Sequence, residues 1–377
     1  MSPVKPFNWQ CAQIAIGSVL LAYAAGCDSS PPTTPSNPVT DTRTTLTPVA
    51  QTAEWPASTP EAERLDPLRL TDAINRIRRG EFGRINSFLI ARNDRLVVEE
   101  YFNGWTAAAA HTQQSVTKSV TSLAAGLAID RGALRLTDRI TTLFPDYEPI
   151  AARDTNKDAL TVRDLLTMRT GFDWTEQNYQ GSPLERLNTC LCDWIRFMLD
   201  WRMREQPGSR FEYVSGGVIL LGGVVGRVTG SRVDNFLADH LFGPLEFQEV
   251  RWERGLPSGL PHTGGGLYLR PRDMAKLGTL VLSGGAWQGR QVISQAWMRE
   301  STQMTSEIVR PLGGRPATYG YLWWGLPDGV VTASGARGQW IFALRDQRLV
   351  VVSTAENGGG QEAATRLLYE YVLPAVQ

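Results

Sequence analysis

Strand-like runs stand at both ends of the folded part of this chain, and helical periodicity fills the middle. No other feature limits the fold as much. "INSFLIAR" and "RLVVEEYF" flank the turn dipeptide Asn93-Asp94, so Ile85 to Phe102 reads as a β-hairpin. Far along the chain, "YGYLWWG", "GVVTASG", "QWIFALRD" and "RLVVVSTA" are again β-rich, with turns at Pro327-Asp328-Gly329 and Asp346-Gln347. Between them the period changes. Val116, Val120, Leu123, Ala124, Leu127 and Ala128 fall at helical spacing, with Gly132 as a terminator. Thr161 and Asp164 spell a capping box. Helices are expected over 194–203, 216–228, 235–242 and 271–282, and a closing helix over 361–373. The simplest packing joins the early hairpin to the late strands in one antiparallel sheet. The fold class is therefore α/β of the α+β type: an antiparallel sheet flanked by helices, with a mostly helical subdomain inserted at roughly 130–257. No internal repeat is visible.

The first residues read as an export signal rather than as part of the fold. Lys5 supplies a positive start and Ile14 to Tyr23 a short apolar run, too short to span a bilayer, which takes about 20 residues. The run ends in Ala24-Ala25-Gly26-Cys27, small residues before a Cys. Residues 1–26 are expected to be a signal peptide, with cleavage before Cys27. The segment resembles a bacterial lipobox, which implies that Cys27 is acylated; a chance Cys after an ordinary signal peptide is the plainer alternative. Residues 28–53 are rich in Ser, Thr and Pro and cannot bury enough apolar surface to offset their ordering entropy. They read as a tether for an enzyme held at the bacterial cell envelope, facing the periplasm or the exterior. The folded domain is expected over 54–377.

Composition removes several function classes. Lys+Arg and Asp+Glu balance at 38 each, which gives no electrostatic case for nucleic acid or for an anionic membrane surface. His111, His240 and His262 show no metal-ligand spacing, so neither a metal nor a cofactor is expected. Cys190 and Cys192 are either bridged to each other or two separate thiols.

Lysine is scarce: only Lys5, Lys118, Lys157 and Lys276. One of them closes the run Ser115-Val116-Thr117-Lys118. Residues i and i+3 share a helix face, so the amine can reach the hydroxyl. A serine is a poor nucleophile until a base takes its proton, and Lys can serve where Arg cannot. At a helix start, backbone N–H groups also point at the reacting oxygen. The spelling alone is common, and Ser2-Pro3-Val4-Lys5 matches it too. The plainer alternative is a capping Ser with an exposed Lys. Two further elements add weight. Tyr213-Val214-Ser215 follows a Pro-Gly turn and would place a phenol for proton transfer, whereas the similar Tyr101-Phe102-Asn103 lies on the hairpin and packs. Ala333-Ser334-Gly335 ends a strand, and the glycine lets that edge approach a ligand.

Ser-x-x-Lys, then Tyr-x-Ser, then a strand-borne triplet ending in Gly resembles the class C β-lactamase, penicillin-binding and family VIII esterase superfamily. "QSVTKSVTSLAAGLAIDRGAL", "LTVRDLLTMRTGFDW", "PGSRFEYVSGGVILLGGVVGRVTG" and "TGGGLYLRPRDMAKLGTLVLSGGAWQGRQVIS" extend the likeness in order over roughly 85–373. "QSVTKS" and the Gly-x-x-Gly-Gln of Gly335 to Gln339 are most similar to the branch of 6-aminohexanoate-dimer hydrolases and related esterases. The resemblance implies a β-lactamase/transpeptidase-like fold. It implies Ser115 as acylated nucleophile, Lys118 and Tyr213 as the coupled base and acid, and the N–H groups of Ser115 and Ala336 as the oxyanion hole. Ser215, Ser334 and Gly335 would line the substrate site. The third triplet lacks the Lys or His of β-lactamases, the cation that fixes a substrate carboxylate; Arg337 is near in sequence and could replace it. Esters and simple amides of small molecules are thus the expected substrates. A peptidoglycan-directed D-aminopeptidase, DD-peptidase or weak β-lactamase is the alternative within the fold, and a non-catalytic envelope sensor the alternative outside enzymes.

Overall fold

A computed structural model describes residues 45–52, 54–357 and 361–377. The signal segment, Cys27 and most of the tether lie outside the described residues. The two β-rich regions do join. β1 (Ile85–Arg92) and β2 (Arg95–Tyr101) form the hairpin, turning at Asn93 and Asp94 with φ of 51° and 62°. Such positive φ at both central residues suits the twist of a two-residue hairpin turn. The late strands are β3 (Arg310–Leu312), β4 (Arg315–Tyr319), β5 (Trp324–Leu326), β6 (Val330–Gly335), β7 (Gln339–Leu344) and β8 (Leu349–Ala355). One eight-stranded sheet results, in the order β2-β1-β8-β7-β6-β5-β4-β3. β1 runs antiparallel to β8, from Ile85 opposite Ala355 to Arg92 opposite Leu349. Every residue of β6, β7 and β8 is buried, which explains why these strands read as apolar runs rather than as an alternation. The helix Pro271–Leu282 packs across β1, β7 and β8.

The helical middle is organised around the glycine-rich helix Ser215–Thr229, which packs against Val116–Asp130, Val162–Leu166, Trp194–Leu199 and Val233–Leu237. The Thr161/Asp164 capping box is present, with Asp164 accepting from the Thr161 N–H at 2.9 Å. Several boundaries differ from expectation: the run "YGYLWWG" is split between β4 and β5, and the closing helix is α-helical over Glu362–Arg366 and continues as a π turn over Leu367–Val372. The helix at 194 ends at Leu199, because the next residues are taken by tertiary bonds: Asp200 accepts from the Ala151 N–H at 2.8 Å and the Trp201 indole donates to the Asp173 carbonyl at 2.8 Å. The helix expected over 235–242 starts at Val233 and widens into a π turn at Ala238–Phe242. Cys190 and Cys192 are disulfide-bonded to each other.

The last part of the supposed tether belongs to the fold. Leu46 and Val49 pack on the core, and buried Trp55 donates its indole N–H to the Asp94 carbonyl at 2.9 Å. The Leu96 N–H bonds the Pro56 carbonyl at 2.9 Å, so this strap covers part of the exposed edge of β2. Glu54 anchors it electrostatically, 3.0 Å from Lys276 and 2.5 Å from Arg270. Leu46, Val49 and Trp55 are enough apolar surface to make a Thr/Pro-rich segment adhere.

Candidate active site

Ser115 begins the helix Val116–Asp130, at the end of a turn in which Gln114 has φ of 46°. Serine at a helix start ordinarily spends its hydroxyl on capping. Here the Ser115 side chain makes no capping bond, and its Oγ accepts from Lys118 Nζ at 3.0 Å. Lys118 is 2 % exposed, which removes the alternative of a capping Ser beside a solvated Lys. The helix is buried all round from Val116 to Ala128, polar residues included. Ser119 donates to the Leu322 carbonyl at 2.7 Å and Thr121 to the Thr263 carbonyl at 2.9 Å, while Thr117 accepts from the Leu267 N–H at 3.3 Å. The last two bonds pin the 263–267 loop against the helix. From that loop the Gly264 carbonyl takes the second Lys118 hydrogen bond, at 2.5 Å. A β-carbon at Gly264 would stand 2.9 Å from the Ser215 carbonyl oxygen, so only glycine allows the loop this close. Among the described residues Lys118 has no carboxylate partner.

His262 lies behind this loop. Its Nε2 meets Asn188 Oδ1 at 3.0 Å. Burial, with the nearby Lys118 charge adding to it, pushes its pKa down to about 4, so it is neutral near pH 7. Burial alone takes His111 to about 4 as well. No group of His, Cys, Asp and Glu able to hold a metal occurs among the described residues.

Tyr213 reaches the same place from the other side. Its ring centroid is 4.8 Å from Lys118 Nζ, and its ring stacks on Trp324 at 5.9 Å. Bonds from the Glu212 N–H to the Met168 carbonyl and from the Val214 N–H to Met168 Sδ hold the segment in position. The amine lies over the face of the phenol ring; among the described residues no hydrogen bond joins the Tyr213 hydroxyl to Lys118 or Ser115. Catalytic bonds commonly tighten only when substrate is bound.

The third element arrives on β6. A β-carbon at Gly335 would lie 2.3 Å from the Gln113 carbonyl oxygen and 3.1 Å from the Ser115 nitrogen. The strand end is therefore in close contact with the Gln113–Ser115 turn, and Ala336 follows directly. Ser215 is present but committed: its Oγ donates to Glu176 at 2.7 Å and its N–H to the same carboxylate at 2.5 Å. Only an acceptor lone pair remains for a substrate. The Ser334 hydroxyl is buried without a hydrogen-bond partner, and so without a hydrogen bond to Ser115 or Lys118, among the described residues. Arg337 is exposed in the turn after Gly335. Sequence reasoning passed over Glu176, His262 and Gly264. Glu176 also accepts the Trp174 indole N–H at 2.6 Å; the helix start at Ser215 was the available signal, since a carboxylate there complements the dipole.

A serine hydroxyl is hydrogen-bonded to a buried amine at a helix N-terminus and under a strand edge, which puts a proton-transfer group within reach of a potential nucleophile. Comparison with known proteins gives the family. The chain belongs to the Beta-lactamase family, whose profile matches residues 86–372. It is 26% identical over 333 residues to the 6-aminohexanoate-dimer hydrolase of Paenarthrobacter ureafaciens, covering 82% of this chain and 83% of that one. It is 33% identical over 127 residues to esterase EstB of Burkholderia gladioli, 31% of each chain. Among solved structures, a family VIII carboxylesterase superposes with TM-score 0.64 at 18% identity, over 81% of this chain and 96% of that one. The octameric penicillin-binding protein homologue of Pyrococcus abyssi superposes with TM-score 0.61 at 19% identity, over 82% and 78%. These structural likenesses establish the fold. The protein is a β-lactamase-fold serine hydrolase of ester or amide bonds.

Proposed function

We propose that this hydrolase works through an acyl-enzyme on Ser115, with Lys118 and Tyr213 moving the proton. The substrate carbonyl lies between the N–H groups of Ser115 and Ala336. Ser115 Oγ attacks, its proton passes to the Lys118–Tyr213 pair, and the tetrahedral oxyanion is held by the two N–H groups. The pair returns the proton to the leaving oxygen or nitrogen, and water then frees the acyl group. The observation that carries this is the 3.0 Å bond between a buried Lys118, without a carboxylate partner among the described residues, and Ser115 Oγ. Ala333 is fully buried and supplies no cation where β-lactamases carry theirs, which favours small esters and linear amides over β-lactams. The 6-aminohexanoate-dimer hydrolase relative, named for a linear amide, supports including amides. The test is Ser115→Ala: it should abolish p-nitrophenyl ester turnover and labelling by a fluorophosphonate. Undiminished turnover in that variant would end the proposal.

We also propose that Cys27 is acylated and holds the enzyme at the bacterial envelope. The small residues before Cys27 and the Ser/Thr/Pro-rich stretch after it support this. Labelled palmitate should enter the parent but not Cys27→Ser, and the variant should leave the membrane fraction; equal partition of both would refute it.

A further inference from the structure

His262 is buried and takes no part in the proton transfers above, yet the loop that meets Lys118 is built on it. Its carbonyl accepts from the Gly265 N–H at 3.1 Å and from the Gly266 N–H at 2.8 Å, so the loop folds back onto this residue. A β-carbon at Gly264 would stand 3.3 Å from the imidazole Cε1, and one at Gly266 2.7 Å from the His262 β-carbon. With no side chain between them, the position of the ring fixes where the Gly264 carbonyl meets the Lys118 amine.

One short segment grips that ring from two sides. Asn188, near the end of the helix Pro183–Thr189, meets Nε2 through its Oδ1 at 3.0 Å. Trp194, the first residue of the helix Trp194–Leu199, packs its indole edge-to-face on the imidazole at 5.4 Å. Between these two residues in sequence lies the Cys190–Cys192 disulfide, which keeps the two Cα atoms 5.2 Å apart. In an extended chain the same two atoms would stand about 7 Å apart. The bridge therefore holds shut the joint between the two supports of His262. It is also within reach of a small thiol: both cysteines are half-buried, and Leu191 between them is 81% exposed.

We propose that His262 is a positioning residue that sets the Gly264 carbonyl against Lys118, and that the Cys190–Cys192 bridge is a reducible lock on its two supports. The inference rests on the acyl-enzyme reading above. The reductant is a dithiol. One of its thiolates attacks a bridge sulfur, the S–S bond breaks to a mixed disulfide and a cysteine thiolate, and the second thiol displaces the other cysteine. Two electrons and two protons pass to the bridge, which ends as two thiols, and the dithiol ends as its own disulfide. The joint then gains up to about 2 Å of slack, more than the Asn188–His262 bond tolerates. Loss of that grip lets the Gly264 carbonyl drift and misplaces the amine, which slows proton transfer from Ser115 and leaves substrate binding nearly unchanged.

The test measures kcat and KM on p-nitrophenyl butyrate for the parent before and after dithiothreitol, with the two new thiols counted by maleimide labelling and intact mass. Cys190→Ser/Cys192→Ser, Asn188→Leu and Asn188→Asp are assayed beside it. Reduction should lower kcat about 10-fold with KM little changed, and reoxidation should restore it. The double variant should start at the reduced level and ignore dithiothreitol. Asn188→Leu keeps the bridge and should lose as much kcat, while Asn188→Asp keeps Oδ1 and should recover most of it. A bridge that served stability alone would lower the melting temperature and leave kcat of the folded enzyme untouched. Parental kcat in either the fully reduced parent or Asn188→Leu, with Ser115→Ala inactive, overturns the lock and leaves the acyl-enzyme reading standing. Turnover persisting in Ser115→Ala overturns both.

Discussion

Replacing Gly335 by alanine adds a single carbon at the most crowded point of the site. That carbon would lie 2.3 Å from the Gln113 carbonyl oxygen, where ordinary contact begins at 3.4 Å, and 3.1 Å from the Ser115 nitrogen. The nearest atom is backbone and the next is the Gln114 β-carbon at 3.0 Å, which is fixed to the backbone, so no rotamer change relieves the clash. Strand end and nucleophile turn must separate by about 1 Å, and the two proposed oxyanion donors separate with them. A misplacement of that size costs about 10²-fold in rate, and loss of one oxyanion donor about 10²–10³-fold in kcat. The overpacking itself costs about 1–3 kcal/mol, small enough for the variant to remain folded. Gly335→Ala should therefore melt only a few degrees below the parent and lose about 10²–10³ in kcat on p-nitrophenyl butyrate, with KM much less affected. Steady-state kinetics alongside a thermal melt separate the two effects. A folded Gly335→Ala with parental kcat would show that the β6 edge does not set the oxyanion geometry.

Lys118→Met should keep the fold, since methionine fills much the same space, while kcat falls about 10²–10⁴-fold in ester hydrolysis. Glu176→Gln removes the charge from the bonds to Ser215 and Trp174; about 1–3 kcal/mol of stability should go, read by urea denaturation, together with about 10-fold in kcat/KM as the Tyr213 segment loosens. Lys157 is buried against the Leu199 carbonyl at 2.7 Å, and burial takes its pKa down to about 8 from 10.5. Its folded-state pKa is the lower one, so between pH 8 and 10.5 the unfolded chain binds more protons and stability rises with pH, by up to roughly 1.4 kcal/mol per unit. Urea denaturation at pH 7.5 and 9.5 should show this rise in the parent relative to Lys157→Met. Burial pushes the Glu54 carboxyl up, but Lys276 and Arg270 outweigh it and hold its pKa below the usual value. Its stabilisation is thus present above the ordinary carboxylate range and is lost as pH falls through the depressed pKa. Acid should release the strap, seen as a change in fluorescence of Trp55, which stands 5.3 Å from Trp287, and as cleavage near Glu54 by an acid protease; Glu54→Gln should flatten that pH dependence.

The local sequence determined a good deal. The Asn93-Asp94 hairpin, the Thr161/Asp164 cap and the helix Pro271–Leu282 follow from turn chemistry, capping and periodicity, which act over a few residues. Ser115 and Lys118 were legible for the same reason: one helical turn brings them together whatever the rest of the chain does. Other features had no local signal. The helix beginning at Trp194 stops early because Asp200 and Trp201 have distant partners, and Pro56 to Ser58 adhere because β2 offers an open edge. The Gly264 carbonyl lies 146 residues from the amine it accepts from, and Arg310 faces Tyr213 from the far edge of the sheet. Sequence supplied the Ser115–Lys118 pair, because their meeting is a property of helix geometry. Which carbonyl, carboxylate and cation surround them was decided only when the chain closed on itself, because contacts between distant segments depend on the packing of every element between them.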